Sequence, residues 1–175
     1  MTNIHAVERV FQVKERPKGM ALPILLSERV QIELIVKSVP LSARRLADEF
    51  FPGALTIILP KSDVVPDIIT SGGRTVAFRI PNHPVPLALI QGLGKPIVGT
   101  SANLSGLNSP LTAAEVQAQI GDKIDMVIDG GRCPGGIEST VVDLSGEKPI
   151  VRRQGAISIE KLRKILPDIL QAEEE

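Results

Sequence analysis

Lys95-Pro96-Ile97-Val98-Gly99-Thr100-Ser101-Ala102-Asn103-Leu104-Ser105-Gly106 is the stretch that decides how this 175-residue chain is read. Pro96 through Val98 is a short apolar run suited to a strand covered on both faces. Hydroxyls, an amide and a closing glycine follow, where a turn needs side chains that bond their own backbone. Open α/β sheets hold nucleotides and phosphates where a strand end releases such small donors into a crevice. An ordinary strand-to-loop exit has the same appearance, so the flanking chain must separate the two.

Upstream, Val76-Ala77-Phe78-Arg79-Ile80 reads as a strand closed by Pro81, after the turn Ser71-Gly72-Gly73 and ahead of a helix from Val85 to Leu93. Arg79 inside a strand calls for an anionic partner, either a structural carboxylate or a ligand. Further back, Leu55 to Leu59 is a strand that follows the stop Pro52-Gly53, while Ser27 and Ser42 are placed to cap helices reaching Lys37 and Phe51. Ala21 to Leu26 reads as a buried strand. Ile4, Val7, Val10 and Phe11 recur at helical spacing behind Thr2 and Asn3, and Pro17 and Gly19 break that helix. Lys14 and Arg16 sit two apart just beyond it. They are either a solvated pair or a clamp for phosphate or carboxylate.

Downstream, Thr112-Ala113-Ala114-Glu115 is a capping box. Met126 to Ile128 reads as strand, as do Thr140 to Leu144 and Ile150 to Arg153, and Ile159 to Leu166 as an amphipathic helix. Between them, Asp129-Gly130-Gly131 and Gly135-Gly136 form a loop whose bare amides could approach an anion or merely connect elements. Gly131 to Gly136 has the glycine spacing of a phosphate loop, but Ile137-Glu138 stands where Lys-Ser/Thr is required. The strands are too irregularly spaced for a plain βαβ repeat. They predict one α/β domain over residues 1–170 with a mixed sheet, and a solvated acidic tail at 171–175.

Composition narrows the function. Hydrophobic residues are 43% and charged residues 23%, and the formal net charge is zero, so any basic site is a local cluster. One cysteine, Cys133, excludes a disulfide within the chain and fits a cytoplasmic setting. Two histidines and one cysteine are poor material for zinc. No run approaches the roughly twenty apolar residues of a membrane span. Trp and Tyr are absent, which disfavours a module that stacks RNA bases on aromatic rings. Hydroxyls, amides and arginines on strand ends, without an obvious nucleophile, suit orienting a charged nucleotide better than covalent catalysis.

Six ordered blocks now stand together: Lys14-x-Arg16-Pro17, Phe51-Pro52-Gly53-x-Leu55-Thr56, Val76 through Pro81, Ser101-Ala102-Asn103-Leu104-Ser105-Gly106, Ile137-Glu138-Ser139-Thr140-Val141-Val142-Asp143 and Arg153-x-Gly155. In this order they resemble the YrdC-like family from about Asn3 to Ile165. The resemblance implies a single twisted mixed sheet flanked by helices around a positively charged concave basin. It implies threonylcarbamoyl-AMP synthase activity, in which L-threonine, bicarbonate and ATP (carried with magnesium) give threonylcarbamoyl-adenylate and pyrophosphate for tRNA modification. The alternative it leaves is a non-catalytic nucleotide- or RNA-binding paralogue.

By the same resemblance, Lys14 and Arg16 contact the phosphates and the threonine carboxylate, and Ser101 and Asn103 hold the triphosphate or adenylate. Arg79 and Arg153 neutralise phosphate charge, and Ser139 with Thr140 lines the threonine and adenylate pocket. It assigns no catalytic residue and no metal ligand. Partners would be tRNA and downstream tRNA-modifying proteins, with no membrane, and the chain a monomer or homodimer. Family members begin with a block reading roughly Pro-Thr-Asp/Glu-Thr-Val-Tyr-Gly-Leu, whereas Met1 stands after that block. The expectation is a family domain without that first strand and loop.

Overall fold

A computed structural model describes residues 1–133 and 137–172. Gly135 and Gly136 of the glycine-rich loop and the end of the acidic tail, 173–175, lie outside the described residues. Among the described residues seven strands form one sheet: β1 (Ile24–Leu25), β2 (Leu55–Pro60), β3 (Thr75–Arg79), β4 (Ile97–Val98), β5 (Thr140–Asp143), β6 (Ile150–Arg153) and β7 (Leu170–Gln171). Their order across the sheet is β4-β1-β3-β2-β5-β6-β7. The pairs β1/β3, β2/β5 and β6/β7 are parallel, and β1/β4, β2/β3 and β5/β6 are antiparallel. The sheet is mixed, as the irregular strand spacing predicts.

Period-two alternation sets its two faces. Ile24, Phe78, Ile57 and Val142 occupy one row, and each is fully buried. They belong to one apolar cluster that also takes Val7 and Phe11 from α1 (Ile4–Lys14), Leu46 from α3 (Leu41–Phe50) and Leu162 from α7 (Ile159–Ile165). Burying each such side chain contributes about 1.5–3 kcal/mol. The next row lies on the other face. There Leu25 pairs with Ile97 and Arg79, and Val141 with Thr56 and Arg153. Residues of β3 on this side are only half-buried.

An irregularity in β5/β6 sets the last member of that row. Val142 pairs with Val151 but Val141 pairs with Arg153, so Arg152 is an extra residue in the ladder. Such a bulge re-aims the side chains beside it. Arg152 turns to Asp143, whose Oδ2 accepts from Nε at 3.1 Å and Nη2 at 3.0 Å, while Arg153 takes the position opposite Val141.

Four local expectations are corrected. Met126 to Ile128 forms no strand; no described segment offers it a ladder partner, and Met126 is 75% exposed. The Ser27 hydroxyl does not cap a long helix, because the Gln31 side chain occupies its hydroxyl and amide. A single 3₁₀ turn, Arg29–Gln31, follows and then the four-residue α2 (Ile32–Ile35). Ser42 lies inside α3, whose N-cap is Pro40. The strand expected over Ala21 to Leu26 shrinks to two residues, since the Leu22 amide bonds the Ile69 carbonyl instead of a strand. The short α4 (Asp67–Thr70), α5 (Pro84–Leu93) and α6 (Ala113–Ile120) complete the helices, and Thr112 caps α6 by accepting from the Glu115 amide.

Candidate functional site

The eight candidate residues fall into two clusters, one beside the start of β1 and one spread over β3, β5 and β6. The first is built on the end of α1. Glu15 adopts the left-handed conformation (φ 51°), its amide bonding the Gln12 carbonyl and the Arg16 amide bonding the Phe11 carbonyl. That cap turns the chain sharply between Lys14 and Arg16. Lys14, only 3% exposed, directs its ammonium into the loop that follows β4. Nζ donates to the Ser101 and Asn103 carbonyls, both at 2.6 Å, and to Asn103 Oδ1 at 3.3 Å. The Asn103 amide donates in turn to the carbonyls of Leu104 and Leu107, at 2.9 and 2.6 Å. Lys14 and Asn103 thus lock the turn from Ser101 to Leu107, and Ser101 itself is exposed.

Arg16 donates to the Met20 and Ala21 carbonyls, just before β1. Burial lowers the Lys14 pKa, and the nearby Arg16 charge lowers it further. A cavity of about 600 Å³ opens beside this cluster, bounded by Lys14, Ser101, Arg9 and Asp125 with an apolar floor from Val10 and Ile124.

The second cluster lies on the half-open sheet face, except that Thr140 pairs with Leu55 and alternates with Val141, which puts it on the core face. Arg79 Nε donates to the Gly53 carbonyl at 2.7 Å, and among the described residues no carboxylate lies within ion-pair distance of it. Burial lowers its pKa, with Arg153 adding a second like charge. Arg153 donates to the Ser139 carbonyl through Nε and Nη2, at 3.2 and 2.9 Å, and is paired through Nη1 with Glu138. Buried Thr140 spends its hydroxyl on backbone: it donates to the Ile157 carbonyl at 2.7 Å and accepts from the Gly155 and Ile157 amides at 3.0 Å. Gly155 is required there, because a Cβ would meet the Glu138 carbonyl at 2.3 Å.

β4 runs antiparallel to β1, so its exit lies beside Pro23, whereas Arg79 lies beside Leu25. Arg79 is therefore two residues along β1, about 7 Å, and two strand spacings, about 10 Å, from the exit of β4, whereas Thr140 on β5 and Arg153 on β6 lie two and three strands beyond Arg79. Leu25 stands between Arg79 and that exit and leans over Gly99, where a Cβ would meet Leu25 Cγ at 2.5 Å.

A profile described as Telomere recombination, for the Sua5–YciO–YrdC family, matches residues 1–155. This chain belongs to that family. Threonylcarbamoyl-AMP synthase of Pyrococcus abyssi is 42% identical over 165 residues, covering 94% of this chain and 48% of the relative. The chain spans about half the length of the first curated relatives it matches. Sua5 of P. abyssi, solved in complex with L-threonine, superposes with a TM-score of 0.94 at 41% identity, over 98% of this chain and 50% of that one. YciO of E. coli superposes with a TM-score of 0.81 at 28% identity, over 90% of this chain and 77% of that one.

Two members of the site in this Sua5–YciO–YrdC domain have no role in the sequence reading. Thr56 and Ser139, both buried, share a hydrogen bond of 2.8 Å between their hydroxyls. Glu138 is the carboxylate on Arg153. Thr56 carried a signal: it is the one polar residue in the strand run Leu55-Thr56-Ile57-Ile58-Leu59. A polar residue opposite a buried Ile57 marks the face that is not core.

Proposed function

We propose that this chain makes threonylcarbamoyl-AMP, joining L-threonine, bicarbonate and ATP with release of pyrophosphate, as a step in tRNA modification. The observation that carries the proposal is the arginine pair: Arg79, with no carboxylate partner among the described residues, and Arg153 close enough to depress its pKa. Arg79 is a half-buried cation without a carboxylate, beside an exposed Arg153 that carries one, Glu138, and a cation so placed costs free energy unless an anion joins it. A polyphosphate is such an anion, and family membership favours ATP.

In this reading Arg79 and Arg153 take phosphate charge, which makes the basin positive, and preorganised donors stabilise charge developing at the α-phosphorus. Ser139 lies on Arg153 and faces the adenylate and the amino acid. Arg16 takes the threonine carboxylate. Ser101 is delivered to the triphosphate by the turn that Lys14 and Asn103 hold. Thr140 shapes the pocket by fixing Gly155 to Ile157 against Ser139. Among the described residues no three His, Cys, Asp or Glu side chains are grouped to hold a metal. Magnesium, which prefers phosphate oxygens and water to a protein cage, therefore enters with ATP as part of the substrate. Cytoplasmic tRNA and tRNA-modifying proteins would be the downstream partners; no described helix is long and apolar enough to cross a membrane.

The test is pyrophosphate release from ATP with and without L-threonine and bicarbonate. The expected result is release that requires both. ATP binding without threonine-dependent release would favour a nucleotide-binding module, and no binding of ATP or threonine would overturn the proposal.

A further inference from the structure

Of the two basin arginines, Arg153 is the one whose outer edge is already occupied. Its Nε and Nη2 rest on the Ser139 carbonyl at 3.2 and 2.9 Å, and Nη2 also reaches Ser139 Oγ at 3.3 Å. That side of the guanidinium is docked on the strand. The edge left for a phosphate to grip is the one formed by Nη1 and Nη2, and there Nη1 is paired with Glu138. Arg79 differs, since Nε holds the Gly53 carbonyl and neither terminal amino group has a hydrogen-bond partner among the described residues.

Glu138 is not what aims Arg153, because the Ser139 carbonyl already fixes the plane of the guanidinium through two donors. Its carboxylate has no other partner among the described residues, and its side chain is 55% exposed. The backbone beneath it is fixed. The Glu138 carbonyl accepts from the Ala156 amide at 3.0 Å and lies close over Gly155. Side-chain rotation alone therefore carries the carboxylate into water while its anchor stays in place. In the empty site that carboxylate offsets Arg153, whose charge adds to burial in lowering the Arg79 pKa. An ion pair this exposed contributes little, so a multiply charged phosphate can displace it.

We infer that Glu138 is a displaceable counter-ion: it holds the outer edge of Arg153 while the site is empty, yields it to an oxygen of an arriving polyphosphate, and takes it back as pyrophosphate leaves. The inference rests on the nucleotide reading above and deepens it. It also carries a sign that a positioning role lacks. Removing a group that stabilises only the empty site destabilises the ligand-free chain and tightens the ligand.

The experiment uses Glu138→Gln and Glu138→Ala in the full chain, since a glutamine carbonyl can still accept from Arg153. Affinity for magnesium pyrophosphate and magnesium ATP is measured by calorimetry, and the ligand-free chains are melted in urea. Binding of both ligands is expected to tighten about two- to fivefold, the range of one exposed ion pair, while the ligand-free urea midpoint does not rise. Glu147→Gln removes the same charge from the turn between β5 and β6. The four residues of β5, about 13 Å, separate that turn from Ser139, more than a Debye length of about 8 Å. Both affinities should therefore stay unchanged in Glu147→Gln. Unchanged or weaker binding by both folded Glu138 variants, or an equal gain in Glu147→Gln, would overturn the inference and leave the nucleotide reading standing. A wild-type chain that binds neither ATP nor pyrophosphate would overturn both.

Discussion

The Arg79 guanidinium is tethered to the Gly53 carbonyl at 2.7 Å through Nε, and its two terminal amino groups have no hydrogen-bond partner among the described residues. A planar fork anchored at one corner is preorganised for a phosphate at the other two. Arg79→Ala is therefore expected to weaken ATP binding more than roughly tenfold, on the order of 1.4 kcal/mol. Arg79→Lys should recover only part of it, because a point charge cannot hold the tether and the phosphate together. Calorimetry on folded variants checks both; an unchanged Kd for Arg79→Ala would return this arginine to a structural role.

Lys14 makes three donations into the Ser101 to Asn103 loop from a nearly fully buried position. Lys14→Met keeps the apolar stem and removes every one of them. The cost should be on the order of 2 kcal/mol, since hydrogen bonds to a charged group are lost and carbonyls are left unpaired. The change should be local as well as global. Amide exchange measured across 101–107 is expected to accelerate beyond the overall loss of stability, whereas uniform acceleration would contradict the lock.

Gly155 approaches the backbone of Glu138, Ser139 and Thr140 at distances that no Cβ can share, the nearest being 2.3 Å. Because those atoms are backbone, no rotamer change relieves the clash. Gly155→Ala is expected to destabilise by about 1–3 kcal/mol and to weaken threonine and ATP binding together. Gly99→Ala gives the contrast. Its clash is with the Leu25 side chain, so Leu25→Ala in the same chain should recover most of the loss. Denaturant midpoints of the three variants decide the matter.

Burial pushes the Asp143 carboxyl up, but the Ser145 hydroxyl and amide and the Arg152 guanidinium outweigh it, and the group titrates below its ordinary value of 3.8. A depressed folded pKa means that the unfolded chain binds the proton more readily. The stability Asp143 contributes is thus fully present above the unfolded carboxylate range and lost as pH falls through the folded value. Wild type should exceed Asp143→Asn by about 1.5–3 kcal/mol near neutrality. The gap should close in strong acid. Urea midpoints of the two chains across the acid limb are the measurement.

The strands over Leu55 to Leu59 and Val76 to Ile80 were legible as apolar runs, with Arg79 standing out inside one of them; that Ile57 and Phe78 share the core face while Arg79 takes the other comes from the pairing. The family blocks gave the candidate residues without their geometry. Short-range spacing could not reveal that Lys14 and Asn103 bond each other, a contact between residues 89 apart. Nor could it reveal the Thr56–Ser139 hydroxyl pair, whose members are 83 apart. Met126 to Ile128 misled for the opposite reason. Its residues carry strand propensity, but a strand exists only where a neighbour supplies the ladder. The two-residue β7 and the extra residue in β6 arise from pairing alone and leave no mark in composition or period.

The bulge at Arg152 has a corollary for how this sheet tolerates change in length. Removing Arg152 would heal the ladder, bringing Val151 and Arg153 into successive register with Val142 and Val141 while Arg153 stayed where it is. Inserting a residue after Arg153 instead would push Gly155 out of its seat against Ser139 and Thr140. The strand therefore absorbs the loss of one residue before Arg153, at the cost of the Arg152–Asp143 pair, whereas a change after Arg153 reaches the seat of Gly155.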